Sequence, residues 1–135
     1  MSTRTYYDPL HQSISLNSSI PEEQMVMELI DSSPFQRLRR IKQLGPAYLT
    51  FHGAESSRFT HSLGVFHIAR RALNHLSELD SRLKEHKFIL YAAALLHDLG
   101  HGPLSHTSEE IFKIKHEEWT GKLINENQEI SIILN

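Results

Sequence analysis

Apolar positions change their period along the 135-residue chain, from a short alternating segment to runs with helical spacing. In residues 1–20, Asp8-Pro9 marks a turn, and Ile14 and Leu16 alternate with Ser13, Ser15 and Asn17, the pattern of a short strand or hairpin. A helix is expected over 21–31, with Ser19 as N-cap, Pro21 in its first turn and Met25, Met27, Leu29 and Ile30 as its apolar contacts. Ser33-Pro34 opens a second helix with Phe35, Leu38 and Ile41 along one side, and Gly45-Pro46 ends it. A loop with a brief extended piece, Ala47 to Phe51, leads to a long helix over about 59–78. There Phe59, Leu63, Phe66, Leu73 and Leu76 form one stripe, and His61, Val65, Ile68 and Ala72 an adjoining one. Gly64, His67, Arg71 and Asn74 lie opposite, so His61 points along a buried side while His67 and His75 face solvent.

The next helix, about 83–98, is apolar nearly all round from Phe88 onward and reads as central. A buried strand is the alternative, against which Ala92-Ala93-Ala94 speaks. Gly102-Pro103 breaks the chain. A helix begins again near Leu104 to Thr107, and the capping-box spacing of Thr107 and Glu110 would place its start late. Trp119, Leu123 and Ile124 support a further helix over 115–126. Ile130, Ile132, Ile133 and Leu134 form an apolar segment immediately before the last residue. The expected organisation is an extended segment, 1–20, followed by one all-α domain, 21–135.

Composition narrows the chemistry. A formal charge of −2 gives no basis for bulk electrostatic binding to nucleic acid. The chain has no cysteine, which removes thiolate catalysis and sulfur ligation; with ten histidines, any metal must be held by nitrogen and oxygen. Arg37, Arg39, Arg40 and Lys42 make 37–42 the most basic stretch, either a solvated face or an attractor of polyphosphate. The segment Met1 to Tyr7 lacks the apolar core of a signal peptide, and no apolar run is long enough to span a bilayer. A cytoplasmic chain without membrane contact is the expectation.

The densest candidate chemistry lies at His97-Asp98-Leu99-Gly100-His101-Gly102-Pro103-Leu104-Ser105-His106, where three imidazoles and a carboxylate close an apolar helix. A buried, charged Asp98 costs several kcal/mol unless paired or metal-bound. His97 and His101, at i and i+4, could chelate one ion from one helical face. Alternatively His97 and Asp98 bind the ion with a histidine from another helix, because Gly100 and Gly102-Pro103 take His101 off the helix. The bland reading pairs Asp98 with an arginine and leaves the histidines incidental.

Three blocks in order resemble the HD-domain phosphohydrolases, and among them the deoxynucleoside triphosphate triphosphohydrolase-like branch. They are Phe35-Gln36-Arg37-Leu38-Arg39-Arg40-Ile41-Lys42-Gln43-Leu44-Gly45, Arg58-Phe59-Thr60-His61-Ser62-Leu63-Gly64-Val65, and the stretch from His97 to His106. The resemblance implies an all-α HD-domain bundle in which His61, His97 and Asp98 ligate a divalent ion such as Mn, Fe, Zn or Mg. It further implies that His101, His106 and His116 face the phosphates and that His106 with Glu109 forms a His/acid pair suited to protonating the leaving 5′ oxygen. Arg58 resembles a phosphate-contacting arginine, and Gln43 and Leu44 resemble residues lining a deoxyribose. Without the resemblance, Arg58 would be a surface salt bridge and the other two ordinary helix-end contacts. The implied substrate is a deoxynucleoside triphosphate, and the implied full-length protein a homo-oligomer.

The family completes its metal site with a downstream aspartate, yet no aspartate follows Asp98. Together with the apolar last residues, this leads us to expect the N-terminal piece of a longer enzyme with its bundle incomplete. Two other readings stand beside a triphosphohydrolase: a non-catalytic module that binds metal or nucleotide, and an HD phosphodiesterase or nucleotidase with another substrate.

Overall fold

A computed structural model describes residues 2–135. Strands β1 (Thr3–Asp8) and β2 (Gln12–Asn17) pair antiparallel, with Thr3 opposite Asn17 and Asp8 opposite Gln12. The Asp8 carboxylate tightens the turn by accepting from the backbone N–H groups of Leu10 (2.8 Å) and His11 (2.7 Å). Of the alternating β2 residues, Ile14 and Leu16 are fully buried, so the hairpin lays one face on the helices that follow.

Helix α1 runs Pro21–Asp31, as the pattern predicts, with Met25, Val26, Met27, Leu29 and Ile30 buried. Its N-cap is Ile20 rather than Ser19, and no side chain caps it. The second helix is much shorter than expected. Helix α2 (Ser33–Gln36) tightens into a 3-10 turn over Arg37–Arg40, and a second 3-10 turn spans Gly45–Leu49. The tightening lets Phe35 and Leu38 both reach the core while Ile41 already has extended backbone. Gly45, at φ +53°, is wedged so closely that a Cβ there would come within 2.5 Å of the Leu104 carbonyl oxygen.

Helix α3 (Arg58–Leu79) starts where Ser57 Oγ accepts from Thr60 N at 3.2 Å. It packs on α4 (Lys87–Leu96), which is preceded by a 3-10 turn over Ser81–His86. Helices α5 (His106–Phe112), α6 (His116–Glu126) and α7 (Gln128–Leu134) follow. Phe59, Leu63, Phe66 and Leu73 of α3 meet Tyr91, Leu95 and Leu96 of α4, with Phe35, α1 and Ile130 completing the core. Each such side chain contributes about 1.5–3 kcal/mol on full burial.

Several expectations are corrected. Ile68 and Ala72 are exposed, so the second stripe of α3 is only partly covered. Gly64, placed on the open face, is buried because the His11 ring lies against it, 3.2 Å from where a Cβ would stand. His67 is half-buried rather than solvent-facing, with its ring 5.2 Å from that of His11. Helix α4 is not covered all round: Ile89 is 72% exposed, since α3 and α1 pack on its other side. Helix α5 starts at His106, so Thr107 and Glu110 form no capping box. No helix among the described residues is long and apolar enough to cross a membrane.

Candidate active site

Two helices deliver the first group of ligand-type atoms. The first turn of α3 carries His61, and the turn that ends α4 carries His97 and Asp98. His61 Nε2 and His97 Nε2 stand 3.3 Å apart. They lie 3.4 Å from Asp98 Oδ2 and 3.4 Å from Asp98 Oδ1, respectively. Ligands about 2.0–2.1 Å from one ion lie roughly 3.0–3.4 Å from one another, so this spacing fits a shared divalent cation. The far side of His97 supports that use. Its Nδ1 lies 2.9 Å from the Ala94 carbonyl oxygen, which fixes the ring and leaves Nε2 as the electron-pair donor. Gln43 Nε2 faces His61 Nδ1 at 3.0 Å, and its amide oxygen accepts from Ser56 Oγ at 2.8 Å. Ligation through His61 Nε2 needs a proton on Nδ1, and a half-turn of the Gln43 amide supplies the acceptor while keeping both contacts.

Beneath these atoms lies an ion pair. Arg58 Nη1 donates to Asp98 Oδ2 at 2.7 Å, and both side chains are only 5% exposed. Arg58 also donates from Nη2 to the Gln43 carbonyl oxygen (2.9 Å) and from Nε to Ser105 Oγ (3.1 Å). A surface salt bridge is therefore not what Arg58 makes. Burial raises the proton affinity of Asp98, but His101 and the Arg58 guanidinium outweigh it and hold the carboxyl well below the usual range. It is a fixed anion at any neutral pH.

The second group adjoins the first. Glu109 Oε1 lies 2.9 Å from His106 Nδ1, 2.8 Å from His116 Nδ1 and 3.7 Å from His101 Nδ1. The rings of His101 and His116 stack at 3.9 Å and 13°, and their Nε2 atoms reach back to Asp98 Oδ1 at 3.3 and 3.8 Å. Two stacked imidazoles thus bridge two carboxylates. His101 is fully buried, and neither ring nitrogen has an aligned hydrogen-bond partner among the described residues. Burial lowers its proton affinity and that of His61. Glu109, though burial raises its pKa, is held below the ordinary carboxylate range by His116 and His106. A cleft of about 340 Å³ opens behind this group between Arg37, Phe112, Trp119 and Leu123.

The structure brings together His61, His97, Asp98, His101, His106, Glu109 and His116, with Gln43 and Arg58 in contact. Leu44 follows Gln43 and is 40% exposed. The i, i+4 pairing of His97 with His101 does not form, because α4 ends at Leu96 and the chain turns, with Leu99 N bonding Leu96 O (2.9 Å) and His101 N bonding Asp98 O (3.2 Å). The basic stretch 37–42 is not one anion-facing surface. Arg37 turns inward to donate to the carbonyl oxygens of Leu99 and His101, Arg39 lies 3.6 Å over the Phe59 ring, and Lys42 pairs with Glu55. Three supporting residues escaped the sequence reading: Arg37 by its inward aim, Ser105, and Thr120, whose hydroxyl accepts from Gly100 N at 2.9 Å. The glycine at 100 was the only signal for the last. A Cβ there would come within 2.3 Å of the His116 carbonyl oxygen and 2.4 Å of Thr120 N.

The family profile described as HD domain matches residues 58–135. The "Uncharacterized protein YwfO" of Bacillus subtilis is 44% identical over 135 residues, covering 97% of this chain and 29% of that protein. Deoxynucleoside triphosphate triphosphohydrolase SAMHD1 of Danio rerio is 40% identical over 112 residues, 81% of this chain and 17% of that protein. Its Homo sapiens counterpart is 42% identical over 102 residues, 73% of this chain and 15% of that protein. The chain thus spans less than a third of the length of these curated relatives. On the matched profile and these identities, the chain belongs to the HD-domain family, and its resemblance runs to the deoxynucleoside triphosphate triphosphohydrolase-like phosphohydrolases.

Proposed function

We propose that the full-length protein hydrolyses deoxynucleoside triphosphates to deoxynucleoside and triphosphate. One observation carries the reading: a three-atom ligand group and a His/Glu group share Asp98 as neighbour, within 3.3–3.8 Å of both His101 and His116. Metal-polarised phosphate on one side and proton donors on the other is what cleavage of a phosphate ester requires. His61, His97 and Asp98 would hold the divalent ion, which supplies Lewis-acid polarisation of a phosphoryl oxygen when bound. Water adds to the α-phosphorus as its bond to the 5′ oxygen breaks. His106, 65% exposed and tied to Glu109 through Nδ1, gives the proton that the leaving 5′ oxygen takes up. His116 faces the phosphate oxygens, and the sequence-based placing of His101 beside it is corrected: fully buried, that ring links Asp98 to Glu109 behind His116. Arg58 keeps Asp98 oriented and brings positive charge next to the phosphates, while Gln43 and Leu44 line the deoxyribose.

Support for the substrate comes from the named activity of the SAMHD1 relatives, and for the geometry from the distances above. The test is a panel of nucleoside mono-, di- and triphosphates with the metal-loaded full-length protein, with the phosphate products resolved chromatographically. Free triphosphate from deoxynucleoside triphosphates is the expected result. Inorganic phosphate or a monophosphate as product would replace this reading with another HD hydrolase. Metal and nucleotide binding with no turnover would replace it with a regulatory module.

A further inference from the structure

Ser105 is the one residue of the His97–His106 stretch whose backbone is forced into a sparsely populated region, at φ +51° and ψ −135°. With Thr107 N bonded to Leu104 O at 3.2 Å, it occupies the first central position of a II′-like turn, where glycine is the usual residue. A serine there is 98% buried and fully partnered. Its Oγ donates to the Lys42 carbonyl oxygen (2.6 Å) and accepts from Arg58 Nε (3.1 Å). Its N–H donates to Gly102 O (3.0 Å), and its carbonyl oxygen accepts from Ser108 N (3.1 Å) and Ser108 Oγ (2.6 Å). The turn also has little room to relax, because Gly45 is pressed against Leu104 O.

We propose that Ser105 is a positioning residue whose buried hydroxyl ties the turn to Arg58 and so sets His106 against Glu109. The hydroxyl is the hinge between the two halves of the site. Arg58 holds Asp98 of the metal-ligand group with one nitrogen and Ser105 with another, and His106 is the next residue in the chain. Glycine would satisfy the turn without strain but would leave Arg58 Nε and Lys42 O without that partner. Serine at this position therefore serves its hydroxyl, not the backbone. The proposal rests on the reading of His106 as proton donor to the leaving oxygen.

Ser105→Gly in the full-length protein separates the two demands, since it relieves the backbone while removing the hydroxymethyl side chain and both of its hydrogen bonds. The expected result is a kcat for deoxynucleoside triphosphates lower by about 10- to 100-fold, with KM within roughly twofold. Metal content stays at the wild-type level. An aryl triphosphate with a p-nitrophenolate leaving group needs no proton and should lose less than about threefold. An unchanged kcat, an equal loss on both substrates, or a loss of metal would overturn the proposal. If Ser105→Gly does not fold, Ser105→Cys, which keeps the Cβ and replaces the hydroxyl by a weakly hydrogen-bonding thiol, carries the same kinetic test. Should the wild type release no triphosphate, the functional reading falls by itself. A crystal structure of Ser105→Gly then decides the positioning role: His106 Nδ1 more than about 3.5 Å from Glu109 upholds it, and a retained 2.9 Å contact refutes it.

Discussion

The two halves of the site present similar side chains on different foundations. His61, His97 and Asp98 stand at the ends of α3 and α4, the pair whose packing makes the core, and Asp98 is locked by a buried guanidinium. His106, Glu109 and His116 stand on the short α5 and the start of α6, with His106 exposed. A buried ion pair of this kind adds little net stability but is costly to break, because removing one partner strands the other charge. The first half is therefore geometry held by the fold, and mutations there cost both structure and chemistry. The second is chemistry mounted on a lighter frame, and mutations there should cost rate alone.

The largest expected effect breaks the first half. Asp98→Ala should abolish metal retention and turnover and lower stability by about 3–5 kcal/mol, because Arg58 is left buried and unpaired. Metal analysis and denaturant melts check this. The Arg58→Met/Asp98→Leu double variant sharpens the point: it should recover most of the stability and none of the metal. If Asp98→Ala melts like wild type, the contrast between the halves is wrong. Next in size, His106→Gln should lower kcat by about 10²–10⁴-fold while metal content and melting temperature hold. Gly100→Ala tests the joint between the halves, where a Cβ would overlap the His116 carbonyl and Thr120; a loss of about 1–3 kcal/mol is expected by thermal melt.

The smallest effect lies outside both halves. Burial lowers the proton affinity of His67, so near its ordinary value of 6.5 the folded state carries fewer protons than the unfolded chain. Its contribution to stability is present above that value and is lost as the pH falls below it. Stability measured between pH 7.5 and 5.5 should decline with acid, and His67→Gln should make that decline shallower. An equal slope in the variant would assign the acid sensitivity to the site histidines instead.

The hairpin, α1, α3 and the onset of α6 were legible because their apolar periods, with Asp8-Pro9 at the hairpin turn and Pro21 at the start of α1, are local signals. The break in the second helix was not. Arg37 through Arg40 tighten because Arg37 must reach the carbonyls of Leu99 and His101, more than sixty residues away. The same holds for His67 and Gly64, whose burial comes from His11 on the hairpin. At the site, the residue types and order pointed to the cluster, and the resemblance divided it into ligands and phosphate-facing groups. Which bonds Ser105 and Thr120 make depends on segments that meet only in three dimensions.

The contact at Gly100 has a practical meaning for anyone who would transplant this site. Thr120 Oγ1 joins the turn twice, accepting from Gly100 N and donating to the His97 carbonyl oxygen at 3.3 Å, while the His116 backbone rests against the glycine. The smallest graftable unit is therefore not the ten residues from His97 to His106. It is that turn together with the first two turns of a helix some twenty residues downstream, a lock and its key that must be moved as one.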